Sequence, residues 1–259
     1  MLSSDSPYYR EAYDGFVAEW GSSVPAVVLG VEPPSAPRPD AVVAFGSRAA
    51  LRDWPGVPIL ETCLAPGAQS ARRPGGLRVE LLPEPARLIE RMKRLIPNLR
   101  TLRVFWSSDQ QSDEVSALAA AGAAAGVSVV SVRVRDPERL PARLRALTGA
   151  ADALWLMPDP ALVNAVNFSV LREYAAAQRV PFLAPTEGLA EKGATATLAA
   201  PFRDVGRAAA AALRERLARG PLAAGPARPG QIIVTLNTAA ARAVGLSPSA
   251  DAGVDRTVP

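Results

Sequence analysis

Short apolar runs alternate with helix-periodic segments along nearly the whole chain, and this alternation restricts the fold more than any other feature. Apolar runs at 25–30 (PAVVLG), 41–46 (AVVAFG), 57–63 (VPILETC), 77–82 (LRVELL), 102–107 (LRVFWS) and 127–134 (VSVVSVRV) read as strands. The runs at 152–158 (DALWLMP), 180–185 (VPFLAP), 194–201 (ATATLAAP) and 231–237 (QIIVTLN) continue the series. Helical periodicity falls between them, at 7–20, 47–54, 84–96, 111–125, 137–147, 160–178, 203–219 and 238–244. Unbroken apolar runs suit strands covered on both faces, and strand–helix–strand repeats join parallel neighbours through right-handed crossovers. The expected architecture is therefore α/β, with doubly wound parallel sheets flanked by helices. A Pro/Gly/Arg stretch at 66–76 reads as a loop or lobe edge, and a break near 66–83 divides the series into two unequal, Rossmann-like groups. The polar end from Ser247 is expected to be a flexible tail.

Several function classes are excluded by what the chain lacks. It contains no histidine, which removes Ser-His-Asp catalysis and histidine metal sites. Its one cysteine, Cys63, has no partner for a disulfide or a metal, so no metal or cofactor is expected. No run approaches the ~20 apolar residues of a membrane span. There is no nucleophile elbow, phosphate loop or dinucleotide-binding glycine pattern, and no nucleophile sits beside a recognisable base. A binding protein is expected in preference to an enzyme, and an enzyme on a Rossmann-like sheet is the alternative that rests on fold analogy alone. The 29 Lys+Arg stand against 25 Asp+Glu, and the basic residues (Arg139, Arg143 and Arg145, for example) read as solvated helix faces. Without a reading motif or an aromatic platform, nucleic acid is not an expected partner.

In parallel α/β sheets, ligands lie beyond the carboxyl ends of the strands. That rule selects the loops 3–6, 46–48, 61–66, 106–110, 157–160 and 185–188. Ser4 lies in the first of these. Gly46-Ser47 opens a helix, and Ser47 reads equally as an N-cap or as a contact for an anionic ligand group. Thr62 can donate a hydrogen bond to a ligand, whereas Cys63 reads as a packed small residue. Trp106 ends a strand, where it can cover an apolar ligand or fill the core; Ser107 follows it. Asp159 is placed to cap the next helix or to meet a ligand ammonium, and Glu187 is the carboxylate expected to face a cation or polar group.

From about residue 77 onward the landmarks have a recognisable order. LIPNLRTLRVFWSS, ADALWLMPD, RVPFLAPTEGLAEKGATATLAAPFRDVGR and IIVTLNTAAARAVGL succeed one another, with an alanine-rich helix and a G-V-x-V strand between the first two. The most specific pieces are E-G-L-A-E-K-G-A (187–194), F-x-D-V-G-R (202–207) and N-x-x-x-A-x-x-x-G-L (237–246). Together they resemble ABC-transporter substrate-binding proteins of the tryptophan/aromatic amino-acid-binding type, which have the type I periplasmic-binding-protein fold. The resemblance implies two lobes, 1–82 with 201–229 and 83–200 with 230–247, a tail at 248–259, and a ligand cleft between the lobes. It implies hinge closure on a small organic ligand, such as an amino acid or related metabolite, with Ser47, Trp106, Ser107, Asp159 and Glu187 among the contacts. It also implies a membrane permease as partner, a monomer, and a periplasmic or extracytoplasmic location with the signal peptide removed. A ligand-sensing module coupled to a signalling partner is the alternative use of the same fold. Met1–Asp5 resembles the end of the family's opening strand, so a truncated first strand is expected. The proline-rich 31–40 departs from the family pattern.

Overall fold

The apolar runs become strands and the periodic segments become the helices that connect them. The computed structural model describes residues 1–31, 39–65, 76–220 and 225–259. The chain divides into two compact units, Met1–Pro83 with Ala200–Gln231, and Glu84–Ala199 with Ile232–Pro259.

The first unit opens with α1 (Pro7–Trp20). Pro7 suits the first turn, where its missing N–H is not needed. Gly21 ends the helix in the left-handed region (φ 83°) and donates its N–H to the Val17 carbonyl. Three parallel strands follow, β1 (Ala41–Phe45), β2 (Ile59–Cys63) and β3 (Leu77–Arg78), in the order β1-β2-β3. Between β1 and β2, α2 (Ser47–Ala50) is a single turn. The expected helix over 47–54 ends at Ala50 instead, and Pro55 disfavours helical dihedrals at Trp54. The run at 25–30 is reduced to one bridge: Leu2 lies between Val28 and Phe45 and is parallel to both. Leu2 N–H donates to the Val27 carbonyl (2.8 Å) and Ser3 N–H to that of Phe45 (2.9 Å). Residues 1–3 thus occupy a strand position beside β1.

The second unit runs α3 (Pro85–Leu95), β4 (Thr101–Trp106), α4 (Ser112–Ala124), β5 (Ser128–Arg133), α5 (Leu140–Arg145) and β6 (Ala153–Leu156). It continues through α6 (Ala165–Gln178), β7 (Phe182–Ala184), α7 (Gly188–Glu191) and β8 (Ala196–Ala199). The onset of α6 is later than its apolar period suggests. Asn164 sets it, accepting the Asn167 N–H at 2.9 Å, while Leu162 and Val163 donate back to the Asp159 carbonyl. The core of this unit forms around Phe105, Leu154, Leu156, Phe168, Leu171 and Phe182.

The chain then returns to the first unit as α8 (Phe202–Arg219), which packs against α1 and over Phe45 and Cys63 through Val205, Ala209 and Leu213. The two helices approach at their backbones. A Cβ on Gly206 would lie 1.8 Å from the Ala12 carbonyl oxygen, and one on Gly15 would lie 2.0 Å from that of Arg203. Only glycine fits at either position.

The chain re-enters the second unit as β9 (Ile233–Asn237), α9 (Thr238–Ala243) and β10 (Arg256–Val258). The sheet order is β10-β9-β8-β7-β6-β4-β5, parallel throughout except that β9 runs antiparallel to β8. No crossover helix of this unit joins β8 to β9, so the constraint that makes the other pairs parallel is absent there. The expected flexible tail at 248–259 is corrected. Residues 250–252 form a 3-10 turn and β10 pairs in parallel with β9. The Asp255 carboxylate accepts the Val234 N–H (2.8 Å) and meets Arg91 of α3 (2.9 Å). A bare β9 would expose a row of unpaired backbone groups, and the polar tail covers that edge.

Candidate functional site

Parallel strands bring the loops that follow them to one edge of each sheet, which is where ligand residues are expected. In the first unit this edge carries Ser3, Ser4, Gly46, Ser47 and Leu64. Ser3, not Ser4, is built into it: Ser3 Oγ is buried and accepts the Ala49 N–H at 2.8 Å, fixing the single turn of α2. Nothing in the sequence separates Ser3 from Ser4; only the register of residues 1–3 beside β1 decides which hydroxyl turns inward. Gly46 has φ 94°, and a Cβ there would lie 2.5 Å from Ser3 Oγ and 2.6 Å from the Tyr9 ring. The loop after β1 therefore hugs the strand-like N-terminal residues. Ser4 and Ser47 are half-buried. Thr62 turns into the sheet, where it is buried and donates to the Leu77 carbonyl at 3.4 Å.

Glu61 does not stand out in the sequence, yet it is the most unusual polar group of the first unit. It sits in mid-β2, opposite Val43 of β1 and Leu77 of β3, fully buried, and among the described residues neither carboxylate oxygen accepts a hydrogen bond. Burial raises its pKa well above the ordinary 4.5. Burial, and secondarily the charge of Glu61, also pushes the Cys63 thiol up, so Cys63 is an inert packed residue.

In the second unit the expected residues Trp106, Ser107 and Asp159 meet. Asp159 follows β6 and is only 1% exposed. Its Oδ2 accepts the Ser107 N–H (2.6 Å), the Ser107 hydroxyl (2.7 Å) and the Ser108 N–H (3.2 Å), while Oδ1 accepts the Ala161 N–H (2.9 Å). Four protein donors therefore surround this carboxylate, which ties the loop after β4 to the loop after β6. Trp106 is 8% exposed, and its indole N–H donates to Ser131 Oγ at 2.7 Å. Arg133, its register partner on β5, lies over the ring with the guanidinium carbon 5.0 Å from the centroid. The same guanidinium donates to the Ser107 carbonyl (3.2 Å) and pairs with Asp109. Glu187 stands apart from this group, at the exposed start of α7, where it pairs with Arg256 of β10.

Arg133 also begins a group that sequence reading does not assemble. A cavity of about 480 Å³ lies beyond the end of β5, lined by Arg133, Val134, Arg135, Asp136, Arg139 and Arg143. The loop at 134–136 is not among those expected to hold a ligand, and the helical spacing of Arg139 and Arg143 suggests an ordinary solvated face. The V-R-V-R segment at 132–135, which runs past the end of β5, is the available signal.

The model of the family described as ABC transporter substrate binding protein matches residues 84–222. The chain belongs to this family. Solved structures agree on the fold. A conserved domain protein from Vibrio cholerae O1 biovar El Tor superposes with a TM-score of 0.67 at 14% identity, covering 99% of this chain and 97% of that one. A Streptococcus pneumoniae ABC domain solved in complex with L-Trp gives 0.65 at 16% identity, covering 99% and 97%. The ligand-free, open form of a substrate-binding protein with adhesive properties from Clostridium difficile gives 0.63 at 15% identity, covering 98% and 96%. A search of curated proteins returns no match. The family and the type I periplasmic-binding-protein fold expected from the order of sequence landmarks are thus the ones found. Among the described residues, no helix of this substrate-binding protein is long and apolar enough to cross a membrane.

Proposed function

We propose that the chain is the extracytoplasmic solute receptor of an ABC import system, binding a small organic ligand without covalent chemistry and delivering it to a membrane permease. The family match over residues 84–222 carries this reading. The loops after β4 and β6 support it. Asp159 acts as a positioning residue that holds Trp106 and Ser107 at the strand ends, and Ser107 with Ser47 supplies polar contacts to the ligand. The chain crosses between its two units near residues 83, 200 and 231. Three crossings make a hinge, and closure follows when the ligand binds the closed arrangement more tightly than the open one. The monomer is the working unit. L-Trp in the Streptococcus pneumoniae structure makes amino acids and related metabolites the first compounds to test.

The test is a thermal-shift screen over a metabolite library. A ligand at a hundred times its Kd adds about 2.7 kcal/mol to stability, a shift of a few degrees for a chain of this size. Small-angle scattering with and without the hit reads closure. A screen without any shift, or a bound form with unchanged scattering, removes the receptor reading.

A further inference from the structure

We infer that the solute is an oxyanion, recognised through the arginine-lined cavity beyond β5. This rests on the receptor reading above and deepens it by naming the chemical class of the ligand. The cavity has four arginines, Arg133, Arg135, Arg139 and Arg143, against the single carboxylate of Asp136. Its volume of about 480 Å³ is that of a small-molecule site. The four guanidinium groups are not equivalent. Arg133 is fixed before any ligand arrives, by the Ser107 carbonyl, by Asp109 and by the Trp106 ring beneath it. Arg139 pairs with Asp136 at 3.1 Å on an exposed edge, a contact weak enough to be exchanged. Arg135 and Arg143 are exposed, and among the described residues their side chains have no hydrogen bond or ion pair. Unpaired cations gathered around a concavity raise the local concentration of anions, and a guanidinium matches a carboxylate or phosphate with two parallel hydrogen bonds.

The position of the cavity matters as much as its charge. It lies at the carboxyl end of β5, directly beside the end of β4, and Arg133 belongs both to the cavity and to the Trp106–Ser107 loop. A ligand with an apolar or hydroxylated body on that loop would extend its anionic group towards Arg135 and Arg143. An excess of three positive charges in the lining favours a ligand with net negative charge over a zwitterion. Carboxylate and phosphate ligands share this chemistry, so each needs its own arm of the experiment.

Isothermal titration of the whole chain with citrate and, separately, with inorganic phosphate, at low and at high salt, makes the test. Citrate, phosphate or both are expected to bind at low salt, and the arm that binds identifies the source of the oxyanion. The double variant R135A/R143A weakens that binding by about a hundredfold, roughly tenfold for each charge-assisted hydrogen-bonding arginine removed. Both arginines are exposed, so the variant folds. R242A, which removes an exposed arginine of α9, leaves binding unchanged; an equal weakening there would reduce the effect to net charge and overturn the inference. L-tryptophan is titrated in parallel. If it binds wild type and R135A/R143A alike while neither anion binds, the oxyanion assignment falls and the receptor reading stands. If the metabolite screen also finds no ligand at all, both fall.

Discussion

Glu61 gives the most quantitative handle on the first unit. Its carboxyl group is buried, accepts no hydrogen bond among the described residues, and keeps its proton above the ordinary pKa of 4.5 because of desolvation. Below that value both the folded and the unfolded chain carry the proton, and the group adds no pH dependence. As pH rises past 4.5 the unfolded chain releases the proton while the folded chain keeps it. Stability then falls by 2.303RT, about 1.4 kcal/mol for each pH unit, until the folded pKa is reached. Beyond that point the loss is complete and the contribution is flat. Glu61→Leu removes the group and fits an apolar side chain among Val43, Leu77 and the face of α8. The difference in unfolding free energy, variant minus wild type, is therefore expected to climb with a slope of about 1.4 kcal/mol per pH unit from an onset near the ordinary carboxylate pKa. At neutral pH the variant is the more stable protein. Urea unfolding at constant ionic strength, from mildly acidic to mildly alkaline pH, measures this, with Trp20 and Trp54 reporting on the first unit. A flat difference curve, or one that falls with pH, would refute the reasoning, because it would mean that the folded chain releases the proton as readily as the unfolded one.

Two further outcomes follow from single contacts. Gly206→Ala places a methyl group 1.8 Å from the Ala12 carbonyl oxygen, so α1 and α8 must separate; a loss of about 3 kcal/mol in urea unfolding is expected, and a loss below about 0.5 kcal/mol contradicts the backbone-to-backbone packing. Asp159→Ala leaves the buried donors of Ser107 without their acceptor, so about 3 kcal/mol of stability disappears and amide exchange at residues 107–108 accelerates. Unchanged exchange there would show that the loop after β4 does not depend on Asp159.

What can be read from the sequence is whatever depends on periodicity. β4 and β6 of the second unit are buried on both faces, so LRVFW and ALWL stand out as apolar runs. Direction leaves no such trace: QIIVTLN reads the same whether β9 runs with β8 or against it, and only the antiparallel register shows which is present. Charge is ambiguous for a related reason. Asp159 reads as a cap or a ligand contact because an aspartate before a helix suits both, and the choice depends on donors 52 and 51 residues away at Ser107 and Ser108. The arginines of 133–143 look solvated because helical spacing spreads charge outward; the turn at 134–139 brings a strand end and a helix face around one cavity instead.

The two carboxylates make the same point from opposite sides. Asp159, in a polar loop, meets four protein donors and so has little left to offer a ligand. Glu61, inside an apolar run, meets none among the described residues. A residue's type and spacing indicate which chemistry is available to it, whereas the number of partners that the fold brings decides whether that chemistry is satisfied. Recognition in this chain should therefore be sought where charge is left unsatisfied and exposed, at Arg135 and Arg143. The more conspicuous acid at Asp159 serves to hold the loop on which the ligand would rest.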